Sequence, residues 1–348
     1  MDASSLPLPA NMALFGFAAL LVWLAGSRLA AYADEISSRT GLGHALLGFL
    51  LLAGITSLPE IATSLTAAGI GNAPLAVNNL LGSISMQVAV LAVADAIYGK
   101  NALTSVVPDS TVMLQGALNI CLLCLVAVAA IVGDISFAGA GAWTWSFALA
   151  ACYSLYKIVE GNQRRPWVAN TDDINPQTHT DRIREHGDVS VKSLAVRTST
   201  AALIILLAGS IVAVTGNSLA DQTGLGSSFV GYALVAISTS LPEASTVFAS
   251  LSRGLYTMAI SDILGTNMLN LALLFIVDVI TTSGPIMTEA GTFAAVASLT
   301  GAFITGLFVM GLAERRDKTI FRMGVDSAAV LTAYLGSLGL LYTLKGTG

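Results

Sequence analysis

Thr56-Ser57-Leu58-Pro59-Glu60 stands inside a long apolar stretch, and the same five residues return as Thr239-Ser240-Leu241-Pro242-Glu243. The copies lie 183 residues apart, and the offset holds on either side of them: Thr40-Gly41-Leu42-Gly43 returns as Thr223-Gly224-Leu225-Gly226, Gly82-Ser83 as Gly265-Thr266, and Asp95 as Asp278. An offset kept without a gap from Thr40 to Asp95 marks an internal repeat. Each copy sets a proline and a glutamate among residues that belong in hydrocarbon, where a charge is costly and usually functional. Two such glutamates, related by a repeat, point to one central ion site in a transporter.

The rest of the chain agrees. It is 55% hydrophobic and only 11% charged, with a mean hydropathy of +0.77, which excludes an ordinary soluble domain. Apolar runs of about 20 residues, each enough to span a bilayer, fall near 10–31, 42–68, 74–98, 109–132, 138–160, 194–216, 225–252, 255–281, 290–313 and 323–344. The expected fold is therefore an all-α integral membrane protein with ten transmembrane helices, five on each side of a polar stretch. Ala31-Tyr32-Ala33 resembles a cleavage site, but residues 1–10 carry no Lys or Arg, as the start of a signal peptide would, and 194–216 is a counterpart helix, so the first run reads as a retained span.

Three segments follow: a five-helix repeat over 1–160, a linker over 161–192, and a second five-helix repeat over 193–348. With the N-terminus outside, all of the 16 Lys and Arg except Lys345 land inside, as the positive-inside rule asks. Both termini are then expected outside and the linker in the cytoplasm, in a bacterial inner (plasma) membrane. Five is odd, so the second repeat enters from the opposite face, giving the inverted repeat that transporters build around a midplane site. The linker mixes Arg164, Arg165, Arg182 and Arg184 with Asp172, Asp173, Asp181, Glu185 and Asp188 and reads as solvated chain; Asp172-Asp173 lacks the glycine-punctuated spacing of a calcium loop.

The chemistry sits in the repeated motif. Pro59 and Pro242 have no N–H, so the carbonyls of Ile55 and Ser238 lose their helical partners and the preceding turn opens. In hydrocarbon, loosened backbone survives only when buried in protein or facing a polar cavity. The carbonyls of Ala53, Thr56, Ala236 and Thr239 become candidate cation ligands. Glu60 and Glu243 supply carboxylates, Ser57, Ser240, Ser83 and Thr266 hydroxyls. Gln87 and Asn270, one helical turn after Ser83 and Thr266, supply amide oxygens or interhelical hydrogen bonds. Calcium takes six to eight hard oxygen ligands, and two carboxylates balance one divalent ion, or fewer monovalent ions plus protons. No His–Cys cluster in the spans suits a soft metal.

Asn79 and Asp262 are also repeat-equivalent, one turn before Ser83 and Thr266; Asp262 reads either as a proton-carrying acid or as a partner to the ligands. Asp95 and Asp278, near helix ends, read as caps or interface contacts. Cys121, Cys124 and Cys152 read as packing residues, and His44, His179 and His186 as solvated. Ser57 and Ser240 lack a His or Lys at membrane depth to act as base, so an intramembrane hydrolase does not fit and no enzyme is expected. A passive channel fits the inverted, broken-helix repeat poorly.

The paired Gly/Ala-x-x-Thr-Ser-Leu-Pro-Glu and Gly-Ser/Thr segments, over 53–87 and 236–270, resemble the α-repeats of the cation/calcium antiporter superfamily, which contains the sodium/calcium exchangers. The similarity covers the whole chain. It implies that Glu60 and Glu243 coordinate calcium, that one sodium-type site uses Ala53, Thr56, Glu60 and Ser83, and that another uses Ala236, Thr239, Glu243 and Thr266. It also implies that the helices at 10–31 and 194–216 slide against the other eight. The chain departs from the family pattern at Ile84, where an asparagine is usual, and at Gln87 and Asn270, where many sodium-coupled exchangers carry an aspartate at one of the two.

The expected function is secondary antiport, exporting Ca2+ in exchange for Na+ by alternating access. The alternative is proton coupling through Glu60 and Glu243, since buried carboxylates can alternate between cation and proton. A monomer in the lipid bilayer is expected, with no nucleic-acid partner and no cofactor beyond the transported ions.

Overall fold

The computed structural model describes residues 5–40, 54–98, 102–107, 110–164, 191–315, 318–320 and 323–346. Its first half contains α1 (Leu8–Thr40), α2 (Leu58–Gly69), α3 (Ala73–Tyr98), a short 3-10 turn at Leu103–Ser105, α4 (Ser110–Val132), strands β1 (Ser136–Phe137) and β2 (Ala140–Gly141), and α5 (Ala142–Arg164). The second half contains α6 (Val191–Thr223), α7 (Ser227–Thr239), α8 (Leu241–Ser252), α9 (Tyr256–Ile280), α10 (Ile286–Glu314), β3 (Thr319–Ile320), β4 (Met323–Gly324) and α11 (Val325–Thr343). Among the described residues, 7 helices are long and apolar enough to cross a membrane, and the bent pair α7–α8 makes up to 8.

Most element boundaries follow the apolar runs, with four differences, the first at the span expected from 323, which starts at Val325 because Met323–Gly324 pair with Thr319–Ile320 in a hairpin. Spans expected over 10–31 and 194–216 lengthen into helices of 33 residues each, because nothing at their polar ends breaks the helix. The span expected from 138 starts at Ala142 instead, because Ala138 and Gly139 take φ values of 47° and 86° and fold β1 back onto β2. The span expected over 42–68 is described only from residue 54. Ala53, His44, His179, His186 and Asp172-Asp173 lie outside the described residues, as does most of the linker at 161–192.

The repeat is written into the hydrogen bonds. Asp95 Oδ1 accepts the N–H of Leu103 at 2.9 Å and Oδ2 accepts that of Gly324 at 2.8 Å. Asp278 Oδ1 accepts the N–H of Ile286 at 2.9 Å and Oδ2 that of Gly141 at 2.5 Å. Each partner of Asp278 is the repeat counterpart of a partner of Asp95. The β1–β2 and β3–β4 hairpins obey the same offset, pairing Ser136 with Gly141 and Thr319 with Gly324. Each aspartate thus starts a segment in its own half and clamps the hairpin of the other, which makes both of them structural caps at an interface.

α3 and α9 form the middle of the bundle, buried along most of their length. α1 and α6 pack together on its flank, burying Ala18 and Val22 with Ala208, Val212 and Ala213, while Phe17, Leu20, Leu24, Leu203 and Leu207 remain exposed as an apolar belt suited to lipid. α3 crosses α7 at van der Waals limit: a Cβ on Gly82 would strike the Tyr232 carbonyl, and one on Gly231 would strike that of Leu75. Cys121, Cys124 and Cys152 are exposed free thiols on the helix surfaces rather than packing residues of the interior.

Candidate cation site

The repeated motif breaks its helix in both copies. Ser57 (φ −81°, ψ 6°) precedes α2 and Ser240 (φ −86°, ψ 2°) precedes α8, and in each case proline occupies the first turn of the new helix, where a missing N–H costs nothing. α7 and α8 meet at 46°. A π-helical turn over Gly231–Val235 lies just before the break, a widening of the kind found at functional sites. The Ala236 carbonyl is not free in this conformation: it accepts the Ser240 N–H at 3.0 Å and the Thr239 hydroxyl at 3.3 Å.

These breaks place Glu60 and Glu243, both 0% exposed, at the start of α2 and α8. Their surroundings come from both repeats. Ser240 Oγ donates to Glu60 Oε1 at 3.4 Å, and the hydroxyls of Thr239 and Ser83 also face the Glu60 carboxylate. Ser83 and Thr239 lie 3.3 Å apart, oxygen to oxygen. Thr239 Oγ1 donates to Asn79 Oδ1 at 3.3 Å, and Asn79 Nδ2 donates to Ser64 Oγ at 2.9 Å. Glu243 lies within electrostatic range of both Glu60 and Asp262.

A group of polar atoms here is buried with no hydrogen-bond partner among the described residues: Glu60 Oε2, both Glu243 oxygens, Ser57 Oγ, Thr266 Oγ1, and the amide groups of Gln87, Asn270 and Asn267. An orphaned buried polar atom costs about 1–3 kcal/mol, and a bare buried carboxylate more. No ion pair reaches either glutamate among the described residues. Hard oxygens gathered without protein partners are what a cation needs, and a bound cation offsets their burial.

The structure therefore gathers Glu60, Glu243, Ser83, Thr239 and Ser240 into one buried region; Ser57 before α2, Gln87 on α3, and Thr266 and Asn270 on α9 are fully buried and unpartnered among the described residues, and Thr56 is almost fully buried. Asn267 belongs to the same orphaned set although it is not among the candidate ligands named from the sequence. Its signal was weak because its counterpart is Ile84, so repeat symmetry passes over it.

The two ends of the site differ. Between α1 and the α8–α9 turn lies a cavity of about 160 Å3 whose walls include Ser27, Thr56, Thr246, Arg253 and Asp262. At the opposite end, α6 seals against α2 and the turn that follows it: Thr63 Oγ1 donates to the Gly209 carbonyl at 3.2 Å, Thr66 Oγ1 to Ser210 Oγ at 3.0 Å, and Asn72 Nδ2, in the turn, to Asn217 Oδ1 at 2.5 Å. Among the described residues, one end of the site meets a cavity and the other is sealed.

An inverted repeat of broken helices around buried carboxylates defines a membrane cation exchanger. The chain matches the sodium/calcium exchanger protein family over residues 10–159 and 193–343, and belongs to it. It is 25% identical over 326 residues to CaxA of Alkalimonas amylolytica, covering 93% of this chain and 96% of that one. Its fold is that of the H+/Ca2+ exchanger CAX (TM-score 0.67, 12% identity, 96% of this chain and 85% of that one). It is shared also with the sodium-calcium exchanger NCX_Mj (TM-score 0.59, 18% identity, 96% of this chain and 99% of that one). The protein is thus a multi-pass membrane protein and a transporter rather than an enzyme.

Proposed function

We propose that this protein exports Ca2+ in exchange for Na+ by alternating access, with ions held between Glu60 and Glu243. One observation carries the reading: the carboxylate, hydroxyl and amide oxygens left unpartnered in the interior come from both copies of the motif. Their number and hardness suit calcium. Ser83 and Thr239 beside Glu60 supply hydroxyls suited to sodium; Thr266 and the carbonyl of Ala236, which is hydrogen-bonded in this conformation, are assigned to a second sodium-type cage with Glu243 by the family resemblance. Ala53, which completes the cage at Glu60, is carried over from the same resemblance.

Two carboxylates without a fixed basic partner must be neutralised whenever they cross between the two access states. One calcium ion does this, and so do sodium ions or protons, so occupied states cross and empty ones stay behind. That requirement couples the two fluxes. The basic residues favour a topology with both termini outside. The cavity beside Arg253 then opens to the cytoplasm, the side from which calcium is exported. α1 and α6, packed as a pair across the motif helices, are the elements whose sliding would close this cavity and unseal Thr63, Thr66 and Asn72.

Calcium uptake into proteoliposomes of purified protein tests the proposal, driven separately by outward sodium and outward proton gradients. Uptake with sodium alone supports the proposal. Uptake with protons alone would replace sodium by protons on Glu60 and Glu243, and silence under both gradients would remove calcium as the cargo.

A further inference from the structure

Asp262 is the intramembrane acid that the exchange site leaves unused. It stands on α9 one turn before Thr266, is partly exposed, and lines the cavity of about 160 Å3 between α1 and the α8–α9 turn. Thr246 Oγ1 donates to its Oδ2 at 3.1 Å. Ser27 of α1 and Ser245 of α8 both line the cavity and lie 3.0 Å apart, oxygen to oxygen. The position has no acidic twin. Its repeat counterpart Asn79 is 0% exposed and its amide is already engaged by Ser64 and Thr239. One end of the site therefore presents a carboxylate to a cavity large enough for several waters, and the other a satisfied neutral amide.

We propose that Asp262, with the hydroxyls of Thr246, Ser245 and Ser27, forms a second divalent-cation site in the cavity, a loading position between water and the Glu60–Glu243 pair. This rests on the calcium-exchange reading above. A cation bound for a fully buried pair must shed its water, and one carboxylate in a low-dielectric cleft raises its local concentration while hydroxyls replace part of its shell. One carboxylate backed by neutral hydroxyls places the site at the weak end of protein calcium sites, on the order of millimolar, which suits a position that must release its ion inward. Arg253 on the same cavity wall keeps the hold weak. Because Asn79 is neutral and sealed, the loading position exists at one end of the transporter only.

Trp23 provides the probe, since its Nε1 donates to Ser245 Oγ at 2.7 Å beside the cavity. In the purified full-length protein carrying Glu60→Gln and Glu243→Gln, terbium (III) should give tryptophan-sensitised luminescence that Ca2+ displaces at about millimolar concentration. Trp23→Phe should remove most of the signal. Asp262→Asn should weaken terbium binding at least tenfold, and Asp262→Glu should restore it in part. Luminescence absent from the double variant, or insensitive to Asp262→Asn, would overturn the proposal. Transport supplies the second arm: Asp262→Asn should raise the KM for calcium about tenfold at the cavity end and leave it unchanged at the other. An equal rise at both ends would assign Asp262 to the central site instead. Absence of calcium exchange in the unmutated protein would defeat the exchange reading, while the luminescence result would still decide whether the cavity binds a cation.

Discussion

The Ser240 hydroxyl donates to Oε1 of Glu60 at 3.4 Å, so the motif of the second repeat completes the surroundings of the first repeat's glutamate. Neither half contains a whole site. The reciprocal contact is missing: both Glu243 oxygens are buried without a partner among the described residues. The site is thus symmetric in its parts and asymmetric in this conformation, with Glu243 the more exacting of the two to leave without a cation.

Glu60→Gln and Glu243→Gln should each reduce calcium exchange at least 100-fold while the protein still elutes as a folded species on size exclusion. Because glutamine removes a buried unpaired charge, the ion-free Glu243→Gln protein should melt higher than the unmutated one. Calcium at 100 times its Kd should stabilise the unmutated protein by about 2.7 kcal/mol, and this thermal shift should vanish in the double variant. Unmutated flux in both single variants would remove the two glutamates from the site.

Asn270→Asp would place a third carboxylate at the centre of the bundle, where the amide of Asn270 is 0% exposed and unpartnered. Calcium should bind about tenfold tighter, equivalent to roughly 1.4 kcal/mol, with slower release. Gln87→Asn shortens the opposite amide and should shift affinity without abolishing flux. Competition of calcium, strontium and sodium against radiolabelled calcium in vesicles measures both effects; unchanged profiles in both variants would make the two amides interhelical contacts only.

Gly82→Ala would drive a methyl group into the Tyr232 carbonyl at the α3–α7 crossing. Overpacking of this kind typically costs about 1–3 kcal/mol, and here the displaced backbone is the π-helical turn that leads into Thr239. Melting temperature and flux should fall together. Normal flux in a destabilised protein would show that the crossing supports folding alone.

Asp95→Asn and Asp278→Asn each exchange a carboxylate that accepts two backbone N–H groups for an amide with a single acceptor oxygen. Hydrogen bonds to charged groups contribute about 1.5–3 kcal/mol, so each variant should lose roughly 2 kcal/mol. The two losses should be similar, because the partners are repeat counterparts. Denaturation in detergent of both variants checks this, and a large loss in one with none in the other would show that the two clamps are not equivalent. Calcium affinity should stay unchanged in both.

Much of this is legible in the chain alone. Pro59 and Pro242 announce broken helices because a residue without an N–H cannot continue a helical ladder, and the breaks fall at Ser57 and Ser240. Runs of apolar residues located the helices because a bilayer demands about 20 of them in a row. Two features escaped. The hairpins at Ser136–Gly141 and Thr319–Gly324 are one, since short apolar glycine-containing segments carry little periodicity, and the spans expected from 138 and 323 take their second strands as helix. Asn267 was passed over because its counterpart is Ile84, and an argument from symmetry sees only what both copies share.

By itself, then, the sequence determined that the chain is an inverted repeat of membrane helices with two buried glutamates, because composition, proline chemistry and the constant offset are properties of the chain alone. Only the tertiary structure decided which groups share a site. Ser83 and Ser240 converge on Glu60 because helices from opposite repeats cross at backbone distance, a packing relation no linear spacing records. Only packing, too, could separate Asn79 from Asp262. The two occupy the same place in the repeat, but α6 seals one end of the site against α2 while a cavity beside α1 leaves Asp262 open at the other.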